Sequence, residues 1–169
     1  MPFIQPNDER RFVFVFGLYP SFCFNPEHWL SHTVAPWADG RQFVSKSAFS
    51  AIIDHYSQFA LAFFKQLQSM NVRFSVASCA PIPASYHKFK QQTHWADYEI
   101  ALIYNWYLER VAGKLEAMGI VCHRPPEEVY DEIGAMRDEF AKTPGDYHGN
   151  AAYGRLMLQK IFSEINPLP

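Results

Sequence analysis

Two kinds of segment alternate along this chain, and their alternation constrains the fold more than any single residue. Arg11 to Gly17 reads Arg-Phe-Val-Phe-Val-Phe-Gly, an unbroken apolar, β-prone run closed by glycine. A strand with one face in water alternates apolar and polar residues; a strand without that alternation is buried on both faces, as in a parallel sheet covered by helices. Residues 72–79 are a second such run, stopped by Ala80-Pro81-Ile82-Pro83. Residues 120–123 are a third and shorter one, stopped by Pro125-Pro126. Between the runs, apolar residues recur at three and four. Phe49, Ile52, Ile53, Tyr56, Phe59, Ala60, Phe63, Phe64 and Leu67 predict a helix from Ser45 to Met70, closed by Asn71. Ile100, Ile103, Tyr104, Tyr107, Val111 and Leu115 predict another from His94 to Met118, ended by Gly119. Residues 126–142, with Val129, Ile133, Met136 and Phe140 inward, predict a charged helix, and 151–165 the last one.

Strands alternating with helices point to an α/β fold, a three-layer α/β/α sandwich with a short, mostly parallel sheet. The length suits a single domain, 1–169, with 1–10 as a polar lead-in. Three strands make a thin, incomplete sheet. Either a strand lies hidden in 1–40, or a partner chain supplies one, or this is the back part of a longer ancestral domain. An open edge also predicts a homo-oligomer. Leu18 to Gly40 reads as one long irregular loop, marked by turn signals at Tyr19-Pro20, Asn25-Pro26, Ala35-Pro36 and Asp39-Gly40.

Composition narrows the function. Hydrophobic residues are 49% and aromatic residues 17%, enough for a substantial core. A net charge of −2 gives no footing for general nucleic-acid binding or a polybasic membrane anchor. No apolar run approaches the roughly 20 residues that span a bilayer. The amino terminus lacks a signal-peptide pattern. Cys23, Cys79 and Cys122 are scattered and odd in number, which argues against a disulfide framework or a zinc site. The chain reads as cytoplasmic and reduced.

Chemistry concentrates in the loop Pro144-Gly145-Asp146-Tyr147-His148-Gly149-Asn150. In an extended segment residues i and i+2 point to one side, so the Asp146 carboxylate can orient the His148 ring. Asn150 is a good N-cap for the helix behind it. A carboxylate favours imidazolium and a helix amino terminus disfavours it, so the pair suits a tuned base. Gly154, in the first turn of that helix, would let it approach a strand closely. His28 and His32 are four apart, but the pattern is not His-Glu-x-x-His and no third ligand is near, so no metal is expected. His87, His94, Lys88 and Lys90 read as a solvated loop. Trp29, Trp37, Trp95 and Trp106 are candidates for stacking on carbohydrate, with packing the first explanation for Trp95 and Trp106. No cofactor is implied.

From about residue 11 to the end the chain resembles the SGNH (GDSL-type) hydrolase superfamily, whose fold is flavodoxin-like. The resemblance rests on Phe14-Val-Phe-Gly17, on Val76-Ala-Ser-Cys-Ala-Pro-Ile-Pro83, and on a long helix that leads through Gly119 into a short strand. Its most specific element is Asp146-Tyr-His-Gly-Asn-Ala-Ala-Tyr-Gly154. It implies an esterase or deacylase acting on an O-acyl ester, with carbohydrate esters one such class. His148 would be the base, Asp146 its orienting acid and Gly17 an oxyanion donor. The acid lies two residues before the histidine, where the family spaces three. Tyr19 occupies the family's asparagine position, with Asn25 a loose substitute. The Gly-Asp-Ser nucleophile block is absent. Ser78 and Cys79 at a strand end, and Ser21 and Ser85 in loops, are the in-chain substitutes; otherwise the nucleophile comes from elsewhere. The alternative is a catalytically inactive binding module that retains the fold.

Overall fold

The computed structural model describes residues 3–15, 21–36, 40–86 and 95–166, with backbone alone at 21, 24, 26 and 28. Strands β1 (Arg11–Phe14), β4 (Arg73–Ala77) and β5 (Cys122–His123) form one parallel sheet in the order β1-β4-β5. Strands β2 (His32–Thr33) and β3 (Gln42–Phe43) pair with each other and do not extend it. The described helices are α1 (Pro26–Trp29), α2 (Lys46–Ser69), α3 (Asp97–Ala117) and α4 (Ala151–Ile165).

Strand parity sorts the core into two layers. Phe12, Phe14, Phe74 and Val76 point to the α2/α3 side, where Phe64 packs at 5.8 Å from Phe74 and 6.1 Å from Phe14. Val13 and Ala77 point to the other side, against Tyr153, Met157 and Ile161 of α4. The result is the expected α/β fold with a short parallel sheet between helical layers.

The two long helices stop as their sequences require. At α3, Gly119 (φ +74°) donates to Glu116 and Ile120 donates to Leu115. At α2, Asn71 (φ 56°) donates to Gln68 and Val72 to Leu67. Both are the paired reverse bonds of a left-handed helix stop, with asparagine standing in for glycine at α2. Each stop feeds the chain straight into a strand.

Asp54 on α2 bonds Arg110 of α3 through both oxygens (2.9 and 2.7 Å), with Lys114 at 2.7 Å. The Arg110 bonds outweigh partial desolvation and, with Lys114, hold the Asp54 carboxyl down at about 2. A depressed carboxylate stabilises the fold above its unfolded value of about 4, and that contribution fades as pH falls through the folded value. The pair lies near the surface, so Asp54→Asn should cost no more than about 1 kcal/mol at neutral pH. The difference from the parent should shrink below about pH 4 and vanish only below about pH 2 in melts of both proteins.

Three expectations need correction. Residues 126–142 are not a helix but two short 3-10 turns, Glu127–Val129 and Asp138–Phe140, in an irregular crossing. The backbone there bonds in turns and one outward link rather than a helical ladder: Arg137 N–H donates to Val129, Met136 N–H to Ile82, and the Asp131 carboxylate accepts from the Ile133 and Ala135 N–H groups. Val129 and Met136 are buried as expected, but Ile133 is exposed and Phe140 only half-buried, so the four do not form one helical face. Gly154 permits no close approach, because a Cβ there would meet nothing within 4 Å; Gly149 is the tight one, where a Cβ would fall on the Tyr153 ring. Apart from β1, no strand of the described part of 1–40 joins the main sheet, since β2 pairs with β3 instead.

Candidate active site

Asn150 builds the site's frame. Its side-chain oxygen caps α4, accepting from Ala152 (2.9 Å) and Tyr153 (3.1 Å). Its amide donates to the Glu139 (2.7 Å) and Ala141 (3.2 Å) carbonyls. Lys142 N–H donates to the His148 carbonyl at 2.8 Å, and Asn150 N–H to the Phe140 carbonyl at 2.8 Å. The loop is thus closed at its base, and Asp146 and His148 sit at its tip.

Asp146 Oδ1 accepts two bonds from His148, one from the backbone N–H at 2.9 Å and one from ring Nδ1 at 2.7 Å. The backbone bond first, then the ring, hold the Asp146 carboxyl below the usual carboxylate range against slight desolvation. An ionised carboxylate only accepts, so Nδ1 is the donor in that bond, and in the neutral ring Nε2 is then the acceptor. That is the tautomer a general base requires. The ring lies over Tyr147 at 4.0 Å, and Tyr147 meets Tyr86 edge-on at 5.7 Å.

Beside the pair is a pocket of about 570 Å³ between the carboxyl end of β4 and the first three turns of α4. His148 and Ser78 are both in its lining, as are Cys79, Tyr153 and Met157. Most of the wall is apolar, but two of its polar atoms are buried without a hydrogen-bond partner: Ser78 Oγ and Tyr153 Oη. An unsatisfied buried hydroxyl costs about 1–3 kcal/mol. Tyr153→Phe should therefore raise stability by about 1 kcal/mol in chemical denaturation while weakening ligand binding in the pocket.

The structure brings Asp146, His148 and Ser78 to one place. Gly17 and Tyr19 lie outside the described residues. Asn25 is elsewhere, its side chain capping α1 through the Glu27 N–H at 3.2 Å. No Ser Oγ or Cys Sγ among the described side chains is bonded to the His148 ring. Cys79 is no thiolate: burial, only partly offset by Tyr104, pushes it up to about 12. Ser85 donates to Asp138 at 2.5 Å. Ser78 itself is 2% exposed. Trp29 and Trp95 are buried against each other, which leaves neither for carbohydrate. Trp37, His87, Lys88, Lys90 and His94 lie outside the described residues. No cluster of three or more metal-binding side chains occurs among the described residues. Sequence reasoning missed Tyr153, although the Gly149 that makes room for its ring was in plain view in the loop.

No family model matches the chain, and no curated protein matches its sequence. Among solved structures it is similar to the crystal structure of an acetyl xylan esterase, AlAXEase, at a TM-score of 0.47 and 17% identity. The match covers 68% of this chain, which spans 56% of that one. No described helix is long and apolar enough to cross a membrane.

Proposed function

We propose that this chain carries the general-base part of an SGNH-like ester hydrolase site. His148 Nε2 takes the proton, Asp146 holds the ring and stabilises the imidazolium that forms, and the apolar pocket receives the acyl group. Ser78 and Tyr153 hydroxyls offer hydrogen bonds to the ester. Gly17 remains the proposed oxyanion donor, with Tyr19 proposed to contact the substrate. O-acylated carbohydrate is the substrate class the SGNH resemblance favours. The observation that carries this reading is the bonded His148–Asp146 pair, with ring Nδ1 on the carboxylate, at the lining of a pocket with two unpartnered hydroxyls.

The hydroxyl nucleophile is proposed to arrive on an added strand. Among the described residues the outer edge of β1 is unpaired. Apolar surface flanks it on both sides: Val15 and Leu158 beside the pocket, and Phe63 against Phe14 on the other face with Phe59 one turn away. A strand seated there would bring its carboxyl end to His148. The occupant is a further segment or a partner chain carrying a serine. A fluorophosphonate probe followed by peptide mapping tests this. The chain alone should give no adduct on Ser78 or Cys79.

A second reading, with Ser78 as the in-chain nucleophile, is favoured by its unpartnered hydroxyl in the same pocket; an adduct on Ser78 that disappears in His148→Ala would establish it. A catalytically silent binding module remains the outcome if His148 has no effect on ester cleavage.

A further inference from the structure

At the opposite end of the sheet–α4 interface lies a second set of chemistry-bearing side chains. Ser75 of β4, His123 of β5 and Glu164 in the last turn of α4 form a continuous relay. Ser75 Oγ is 2.8 Å from His123 Nε2, and His123 Nδ1 is 2.5 Å from Glu164 Oε2. Partial burial raises the Glu164 carboxyl, but bonds from His123 and Lys160 outweigh it and leave it below the usual carboxylate value. An ionised Glu164 only accepts, so Nδ1 donates to it, and in the neutral ring Nε2 is then the acceptor for the serine hydroxyl. The serine proton is thereby directed onto a base, which is the arrangement that activates a hydroxyl.

A buried histidine needs only two hydrogen-bond partners, and a structural clip for the end of α4 would satisfy it. Two further observations favour reactivity. The three side chains line a recess of about 400 Å³, with Gly119–Val121 also in its lining. Arg11 and Arg73 also line it, and their guanidinium groups donate only to main-chain carbonyls, of Ile165 and Glu9 respectively. Neither has a carboxylate partner among the described residues, while the one acid facing the recess, Glu164, is already matched by Lys160 and His123.

We propose that Ser75 is a second nucleophile, with His123 as its base and Glu164 as the orienting acid, and that the recess takes small esters bearing a negative charge. Ser75 Oγ bonds to the ester carbonyl carbon as its proton passes to His123 Nε2. The carbon–oxygen bond to the leaving alcohol then breaks, and that oxygen takes the proton from Nε2. Water, deprotonated by the same nitrogen, releases the acid and restores the serine. Arg11 and Arg73 hold the substrate's anionic end.

The test uses the whole chain with the mono-4-nitrophenyl ester of succinic acid, against neutral 4-nitrophenyl acetate, with nitrophenolate release and peptide mapping as readouts. A succinyl adduct should map to Ser75. Glu164→Gln, which keeps the shape, should slow acylation roughly 100-fold. Arg11→Gln and Arg73→Gln should each lower the preference for the anionic ester roughly threefold. His148→Ala should leave the adduct unchanged, which separates this site from the one above. Absence of a Ser75 adduct in a chain that melts normally overturns the proposal. So does an acylation rate that Glu164→Gln does not alter, which is what a merely structural clip predicts. Equal labelling by the two esters overturns the assignment to anionic substrates.

Discussion

Replacing Arg41 by methionine is expected to cost about 3–5 kcal/mol of folding stability, the range for breaking a buried ion pair by removing one partner. Glu99, on the first turn of α3, is 1% exposed. Its carboxylate accepts from Thr33 Oγ1 at 2.5 Å, the Ala96 N–H at 2.9 Å and Arg41 Nη2 at 3.0 Å. The Thr33 and Arg41 bonds fasten the small β2–β3 pair to the main core. Methionine fills a similar volume but leaves the carboxylate buried without a countercharge. Removing both charges, Arg41→Met with Glu99→Met, should recover most of the loss, because two apolar side chains carry no desolvation penalty. Urea denaturation of the single and double variants reads this directly. A single-variant loss under about 1 kcal/mol would mean that water reaches Glu99 and the pair behaves as a surface one.

The framework was legible because each of its signals is local. The unbroken run at β1, the alternating faces of α2 and α3, and the stops at Asn71 and Gly119 all report on residues within a turn or two of one another. Asn150 as the cap of α4 and Asp146 as the partner of His148 were legible for the same reason: two-residue geometry survives folding unchanged. The 126–142 segment was misread because Val129 and Met136 are buried by distant contacts. Met136 bonds to Ile82 across the fold, and three-to-four spacing in an irregular crossing imitates a helix. The Ser75–His123–Glu164 relay was invisible for a stronger reason. Its members are separated by 48 and 41 residues, and only strand register and the docking of α4 bring them together. The one available hint was Ser75 itself, a polar residue at a position of β4 that shares a face with Ala77.

The proposed activity requires His148 to act as a base toward an ester in the pocket beside it. General-base catalysis contributes typically 10²- to 10⁴-fold, and a positioned base can deprotonate water directly where no serine stands beside it. The chain alone should therefore cleave an activated neutral ester slowly but saturably, through water that His148 deprotonates. The deciding measurement is the rate of 4-nitrophenyl butyrate cleavage with and without His148→Ala, in a Ser75→Ala background so that the second recess contributes nothing. A fall of roughly 100-fold toward the buffer rate is predicted. Equal rates in the two proteins would contradict the assignment and leave Asp146 and His148 as parts of a helix-capping loop.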